Sequence, residues 1–553
     1  MSQATATLEN PFAELGRDTS PDARGKVYAR NAGRPQRVLF VQECVAQEPL
    51  GIQWISRAAR DAGHSTKFVL TPDSKWIQRI KEFEPDVIGF MCTTGVHKHV
   101  MEMAKAIRKQ YPNFLSVFGG HHPTFVPEIL QEPHVDVVVK GEGEQAFAEM
   151  LNNLRDGRPI GDVKNLWVKE DGHIFKNDLR PLFANLDING FPDRETLYEA
   201  APIWANSYRK CFQASRGCPY KCSFCFHHAW KEKVYQAGMS EYIRIRTPEH
   251  MIREIEWVRD TWGVKEVHFV DDIFNLRTSW VEEFCDLYMQ RIKLPYSVIL
   301  QSNLLTEKVA KKLGESGCVQ ARVAFEAAND RLRNEVLRKG TMRHHLTNSA
   351  KYIREAGIRL TSLNILAIPG GTFEDDLETL KLNIEAQVKH PLVSLMQAYP
   401  ETDINEMTRE MGLLDQAAEF NPRFNRNSIL KLEHARWSEN LHHLFPIIVR
   451  FPWLFRFAPA LSKFPGETLG KTFVGKLVTQ FYLVCYMLFT EWLIVELNYN
   501  WRKMLGLQKN RVVEFVQRVS GKTWIKIQQA TIGKYSKKLA LAMDASDFTA
   551  DAH

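Results

Sequence analysis

From Val38 onward, short apolar runs alternate with stretches whose apolar positions recur at helical spacing. The runs VLFV (38–41), VIGFM (87–91), LSVFGG (115–120) and VDVVVKGEGE (135–144) read as strands, and WISRAARDAG and HVMEMAKAIRKQ between them read as helices. Such alternation predicts a parallel sheet covered by helices on both faces. Ligands of such sheets sit beyond the carboxyl ends of the strands. There the sequence places the glycine- and polar-rich loops QECVAQEPLG, CTTGVHKH, GGHHPTF and KGEGE.

After about residue 185 a second set begins: FQASR, EVHFVDD, YSVILQSN, CVQARVAFE, LTSLNILAIPGG and LVSLMQAYP. Each is followed by a helix-like segment such as SAKYIREAG, so the expectation is a complete or partial β/α barrel. Past Gly412 the character changes. LFPIIVRFPWLFRFAPAL (444–461) and LVTQFYLVCYMLFTEWLIVEL (477–497) are aromatic-rich and mostly apolar. The longest uncharged run, between Lys476 and Glu491, has 14 residues, short of the roughly 20 that a spanning helix needs. A buried core helix, contact with a membrane surface, or contact with a large apolar substrate are the readings open to it.

With 553 residues the chain exceeds one ordinary core, so two or three domains are expected. The net charge of +7 is mild and does not argue for nucleic acid. The basic excess is local: between Asn498 and Met543 stand ten Lys or Arg and one acid, Glu514. The N-terminal stretch has no early basic residues followed by an apolar core, so it is read as a mobile cytoplasmic leader rather than a secretory signal. In that setting nine unevenly spaced cysteines point to metal or redox chemistry and not to a disulfide framework.

Four of the nine fall within CFQASRGCPYKCSFC (211–225). Cys218, Cys222 and Cys225 follow a strand with Cys-x3-Cys-x2-Cys spacing, and no second Cys-x2-Cys exists to close a structural zinc site. His227 and His228 could close one in principle. Three thiolates on one loop suit a [4Fe–4S] cluster whose fourth iron stays open. Cys211 is off the spacing and reads as a packed thiol.

Cys218, Cys222, Phe224 and Cys225 resemble the cluster loop of the radical S-adenosylmethionine (radical SAM) enzymes. The wider text SRGCPYKCSFC, VHFVDDIFN, ARVAFEAANDRLRNEVLRKG, LAIPGGTFED and AYPETDINEMTREMGLL, with GGHHPTFVPEIL and VVVKGEGEQAF upstream, is similar to the subgroup with an N-terminal cobalamin-binding domain, over about residues 36–415. Between the mobile leader (1–35) and a mostly helical C-terminal region (413–553), both read from the residues, the resemblance implies a doubly wound Rossmann-like cobalamin-binding domain (36–185) and a (β/α)6-type partial barrel (186–412). It implies three cofactors: a [4Fe–4S] cluster on Cys218, Cys222 and Cys225, S-adenosylmethionine on the open iron, and cobalamin. Phe224 would lie near the adenine. Asp271 and Asp272 would meet the ammonium group, although they depart from the Gly-Gly-Glu of many relatives. Gln301, Asn303 and Glu326 would serve ribose and methionine, and Gly370 with Gly371 would let backbone approach the adenosine.

On the cobalamin side the resemblance points to Thr93, Thr94, Gly119, Gly120, His121, Gly141 and Glu142. No Asp-x-His-x-x-Gly occurs, so cobalt is expected without a histidine below it. His64, His97 and His99 read as surface or helix histidines, and His121 and His122 as loop caps or partners of a corrin amide. The leading function is methyl transfer to an unactivated carbon. An oxidative reaction like that of the anaerobic Mg-protoporphyrin monomethyl ester cyclase shares every motif, and a cobalamin sensor has no need of the cysteine loop. Partners expected are a small-molecule substrate, which the aromatic tail tilts toward a large apolar one, and an electron donor such as flavodoxin or ferredoxin. No nucleic acid is expected. The reading is of a cytoplasmic protein with peripheral membrane contact open to its C-terminal region.

Overall fold

The computed structural model describes residues 32–465 apart from 43–47, 72–74, 171, 208, 416–419 and 421–427, together with 477–478 and 481–482. Most of the expected leader and of the 477–497 segment, and all of the basic 498–543 stretch, lie outside the described residues.

The first sheet contains β1 (Arg37–Gln42), β2 (Ser65–Leu70), β3 (Val87–Met91), β4 (Leu115–Gly119), β5 (Val137–Val139), β6 (Leu166–Glu170) and β7 (His173–Lys176), in the spatial order β2-β1-β3-β4-β5-β6-β7. The first five run parallel, and β6 and β7 add an antiparallel hairpin at one edge. Val38, Phe40, Val87 and Val117 face one helical layer, whereas Leu39, Val41, Ile88 and Phe118 face the other, which is why these strands read as unbroken apolar runs. The sequence pattern had passed over β2, β6 and β7. Edge strands bury little, and β7 is exposed along its whole length, so neither the apolar run nor the alternation is strong there. The crossing from β1 to β3 is the topological switch point, where a crevice opens beyond the strand ends.

The second sheet has six parallel strands: β8 (Arg209–Phe212), β11 (Glu266–Phe269), β12 (Tyr296–Leu300), β13 (Cys318–Glu326), β14 (Arg359–Leu366) and β15 (His390–Leu395). Its order β15-β14-β13-β12-β11-β8 makes a partial barrel with helices outside. FQASR divides between β8 and a short strand, β9 (Ser215–Arg216), which pairs antiparallel with β10 (Arg244–Ile245). The helix Ala435–Arg450 closes one edge: Leu441, Phe445, Ile448 and Val449 join the barrel core, and His442 shares a hydrogen bond with the Val393 carbonyl of β15 at 3.1 Å. The core-helix reading of the 444–461 segment therefore holds as far as Arg450. Beyond it the chain runs over the surface as a 3-10 turn (Pro452–Phe457) and a short helix (Ala458–Lys463). Among the described residues no helix is long and apolar enough to cross a membrane.

Buried charge joins the two halves. Arg194, fully buried, bonds Glu48 after β1 at 2.8 Å and Glu254 of the barrel at 2.9 Å, and Arg246 completes Glu254 at 2.6 Å. Tyr198 and the Cys211 N–H also donate to Glu48. Removing one member of such a network strands a charge out of water, at a cost of about 3–5 kcal/mol.

Candidate functional site

A cavity of about 480 Å³ lies between the two sheets. One wall is built by the loops after β1, β3, β4 and β5, including Pro49, Thr93, Gly119, Gly120, His121, Gly141 and Glu142; the other is built by Gln213, Phe226, His227, Trp230, Tyr235, Tyr242 and Asp272 of the barrel half. Two glycines are required by geometry. Gly120, at φ +108°, would drive a Cβ to 2.7 Å from the Cys92 carbonyl, and Gly141, at φ +72°, would drive one to 2.1 Å from the Tyr235 hydroxyl.

His121 stands edge-on to Phe226, with 4.1 Å between ring centres, and its Nε2 is buried without a hydrogen-bond partner, as is Trp230 Nε1. Burial, followed by the neighbouring His227, pulls His121 down to about 4, so it is a neutral imidazole near pH 7. Unpaired donors and acceptors around an apolar floor suit a large cofactor with an amide rim, as cobalamin has. His122 turns away: it bonds Thr94 Oγ1 at 3.1 Å and stacks on His97 at 4.0 Å, so Thr94 supports the loop rather than the cavity. His64 is not a surface histidine. It is buried, accepts from the Gln36 N–H and contacts Asn152.

Glu142 is reassigned as well. Arg244 grips both its oxygens, at 2.7 and 2.9 Å, and Arg216 adds a contact at 3.4 Å. Burial opposes its charge, but the two guanidinium groups hold its carboxyl below the usual carboxylate range. Its oxygens are spent on fastening the barrel to the sheet, next to Arg216–Glu144 at 2.6 Å.

Cys218, Cys222 and Cys225 all lie on the loop after β9, and Cys211 is buried in β8. Burial pushes the Cys218 thiol up to about 12 and raises Cys222 and Cys225 too, with Cys222 adding to the rise at both Cys218 and Cys225. His227 and His228, the residues that could have closed a zinc site, are engaged with Asp272 at 2.6 Å and Asp403 at 3.3 Å. Among the described residues no three His, Cys, Asp or Glu side chains converge on a single ion. Three thiols on one loop, each able to meet its own iron, suit a [4Fe–4S] cluster.

The candidates for S-adenosylmethionine separate on inspection. Asp271 is fully buried and accepts from the N–H groups of Ala214 and Ser215 and from the Ser215 hydroxyl. Burial raises its carboxyl to about 6 against those donors. It fixes the root of the cysteine loop, and the expectation that it meets an ammonium group is withdrawn. Asp272, its neighbour, faces the cavity, held by His227, whose other ring nitrogen bonds Tyr242 at 2.8 Å. Gln301 is clamped through its backbone by Asn275, and its Nε2 is buried without a partner; Asn303 accepts from Tyr220 at 2.8 Å.

Glu326, at the end of β13, is buried at φ +58° and pairs with Lys339 at 3.3 Å. Phe224 is partly buried and packs against the apolar cluster that contains Ile365, Ile368 and Met396. Gly370 has φ +74°, and its carbonyl is held by Arg331. Missed in the sequence were Arg216, Tyr235, Tyr242, Arg244 and Lys339. Two of them left a sign: Arg216 inside SRGCPYKCSFC and Lys339 inside the RKG at 338–340.

Residues 45–151 match the B12 binding domain and residues 212–382 the radical SAM superfamily. An uncharacterized methyltransferase of Pyrococcus horikoshii is 27% identical over 380 residues, 66% of this chain and 79% of that one. The anaerobic magnesium-protoporphyrin IX monomethyl ester cyclase of a Synechocystis species is 27% identical over 247 residues, 43% of this chain and 48% of that one. Among solved structures, the cobalamin-dependent S-adenosylmethionine radical enzyme OxsB, with aqua-cobalamin and S-adenosylmethionine bound, has the same fold: TM-score 0.60, 13% identity, covering 92% of this chain and 81% of that one. A B12-binding sheet and a radical SAM barrel, in this order and closed over one cavity, make the chain a member of the cobalamin-binding radical S-adenosylmethionine enzymes.

Proposed function

We propose that the chain is a C-methyltransferase acting at an unactivated carbon of a large apolar molecule. The observation that carries this is the shared cavity: the B12-side loops and the segment just after the three cysteines are its two walls. Bound there, the cofactors would supply an adenosyl radical and a transferable methyl group.

The chain's own residues bind, orient and exclude water. Cys218, Cys222 and Cys225 would hold the cluster. Asp272, oriented by His227 and Tyr242, offers a carboxylate to an ammonium group, and Gln301 and Asn303 offer amides from the barrel mouth. Phe226, Trp230 and neutral His121 form an apolar wall that keeps water from a radical. Gly120 and Gly141 let the loops of the cavity wall pack against the Cys92 carbonyl and the Tyr235 hydroxyl. An external donor such as flavodoxin or ferredoxin would deliver the electron.

The surface after Arg450 supports a membrane-facing substrate. Phe451, Trp453, Phe457 and Phe464 are 44, 62, 43 and 47% exposed. No acid lies between Glu439 and Glu467, while Arg450, Arg456 and Lys463 do. Basic and aromatic residues together are what interfacial binding uses.

The test is product analysis with anaerobically reconstituted enzyme, cobalamin, a low-potential reductant and methyl-labelled S-adenosylmethionine on lipid extracts. 5′-Deoxyadenosine and S-adenosylhomocysteine should form in about equal amounts, with label in the product. An oxidised, unlabelled product would select a cyclase-like reaction, the reading that the similarity to the Synechocystis cyclase favours.

A further inference from the structure

Lys339 is a largely buried cation, its side chain 12% exposed, that nothing above employs. It lies in the RKG turn after the π-helical turn Leu332–Val336, and its ammonium group is 3.3 Å from Glu326 Oε1. The turn is fastened to the cysteine loop by one residue, Ser223, which stands between Cys222 and Cys225. The Ser223 N–H donates to the Leu337 carbonyl at 3.0 Å and its hydroxyl to the Val336 carbonyl at 2.6 Å. On the far side Arg338, at φ +51°, is tied to Asp403 at 2.6 Å. With the backbone held at both flanks, the Lys339 side chain reaches Glu326 at the end of β13 from a turn bound to the cysteine loop.

We propose that Lys339 is the buried counter-charge of the iron–sulfur cluster on Cys218, Cys222 and Cys225, and that with Glu326 it sets the potential at which that cluster accepts its electron. A cluster tied to three thiolates gains negative charge on reduction. In a low-dielectric site a fixed cation favours the reduced form and a fixed anion disfavours it.

The ammonium is carried by the turn that Ser223 binds to the cysteine loop, whereas its partner Glu326 stands at the end of β13. Burial works against protonation of Lys339, yet Glu326 at 3.3 Å keeps it raised, so it is a cation near pH 7. The strained φ at Glu326 fits a carboxylate held where it trims that cation and does not cancel it.

This inference rests on the cluster assignment, and the two can fail separately. The experiment is EPR-monitored redox titration of the reconstituted full chain without S-adenosylmethionine, with iron and sulfide content measured on each sample. Wild-type protein that assembles no cluster would overturn the cluster assignment itself. With clusters in place, Lys339→Met should move the midpoint to more negative potential: where wild type is half reduced, its reduced-to-oxidised ratio should fall about tenfold, which for one electron is about 59 mV. Lys339→Arg should keep the wild-type midpoint and Glu326→Gln should move it positive. Should Lys339→Met lose its cluster, Glu326→Gln and Lys339→Arg carry the test. An unchanged midpoint in Lys339→Met or in Glu326→Gln, or a shift of the two in the same direction, overturns the proposal.

Discussion

The hydroxyl of Tyr235 accepts a hydrogen bond from the backbone N–H of Glu142 at 2.5 Å, seated over the face of Gly141 that carries no Cβ. The barrel half thus closes onto the first sheet by filling the space a glycine leaves, and the Arg244–Glu142 pair locks the same loop.

Gly141→Ala should therefore act on the joint between the halves. It meets a φ of +72° and a 2.1 Å overlap together, and a stability loss of about 2–4 kcal/mol is expected. Cobalamin retention, read from the visible spectrum after gel filtration, should fall with it. Tyr235→Phe keeps the ring and loses only the acceptor, so it should cost about 1 kcal/mol. Equal losses in the two variants would show that the glycine has no steric role.

The cysteines make a sharper distinction. Cys218→Ala, Cys222→Ala and Cys225→Ala should each abolish the iron–sulfur EPR signal and the matching iron and sulfide, whereas Cys211→Ala should keep them. Cys211 is a β8 residue whose backbone, not its thiol, bonds Glu48 and Arg194. Full cluster content in any of the first three would contradict the ligand assignment.

The cysteine loop was legible because its geometry is local: three ligands within eight residues carry their own spacing. The ion pairs of Glu142 were not legible, for the opposite reason. Its partner Arg244 is 102 residues downstream, and nothing near an acid in a glycine-rich loop announces a guanidinium from another sheet. Asp271 and Asp272 look alike in sequence, yet one turns into the barrel to cap Ala214 and Ser215 and the other faces the cavity. Strands β1, β3 and β4, buried on both faces, were plain as apolar runs, while β2, β6 and β7 at the edges were not. Lys339 needed the fold, since its meaning comes from Ser223 binding the turn that holds it.

Asp376 gives a pH prediction. It is fully buried, accepts from the Ala367 N–H and from Ser438 of the covering helix at 2.5 Å, and burial raises its carboxyl from 3.8 to about 7. The folded chain therefore holds a proton that the unfolded chain releases near pH 4, so this contribution is present below that pH and lost as pH rises through 7. Asp376→Asn should flatten the fall in stability between about pH 4 and 7 and leave the variant about 1–3 kcal/mol more stable than wild type at the upper end. Urea midpoints at the two pH values measure it; a wild-type slope that survives the substitution would rule Asp376 out as its source.

The exposed aromatics beyond Arg450 predict attraction to anionic membrane surfaces. The helix before them spends its apolar face on the barrel, so Trp453 and Phe457 are left over from core formation, and Arg456 sits 4.7 Å above the Phe457 ring. A cation held against an exposed ring can meet a lipid phosphate while the ring enters the acyl boundary. Full-length protein should co-sediment with vesicles rich in phosphatidylglycerol and poorly with phosphatidylcholine alone, and binding should weaken as salt screens the attraction. Trp453→Ala with Phe457→Ala should cut the bound fraction severalfold without moving the unfolding midpoint, because neither ring is buried. If the double variant binds vesicles as wild type does, the contact is made elsewhere; if wild type ignores anionic vesicles at low salt, the aromatic face serves the substrate or the rest of the chain.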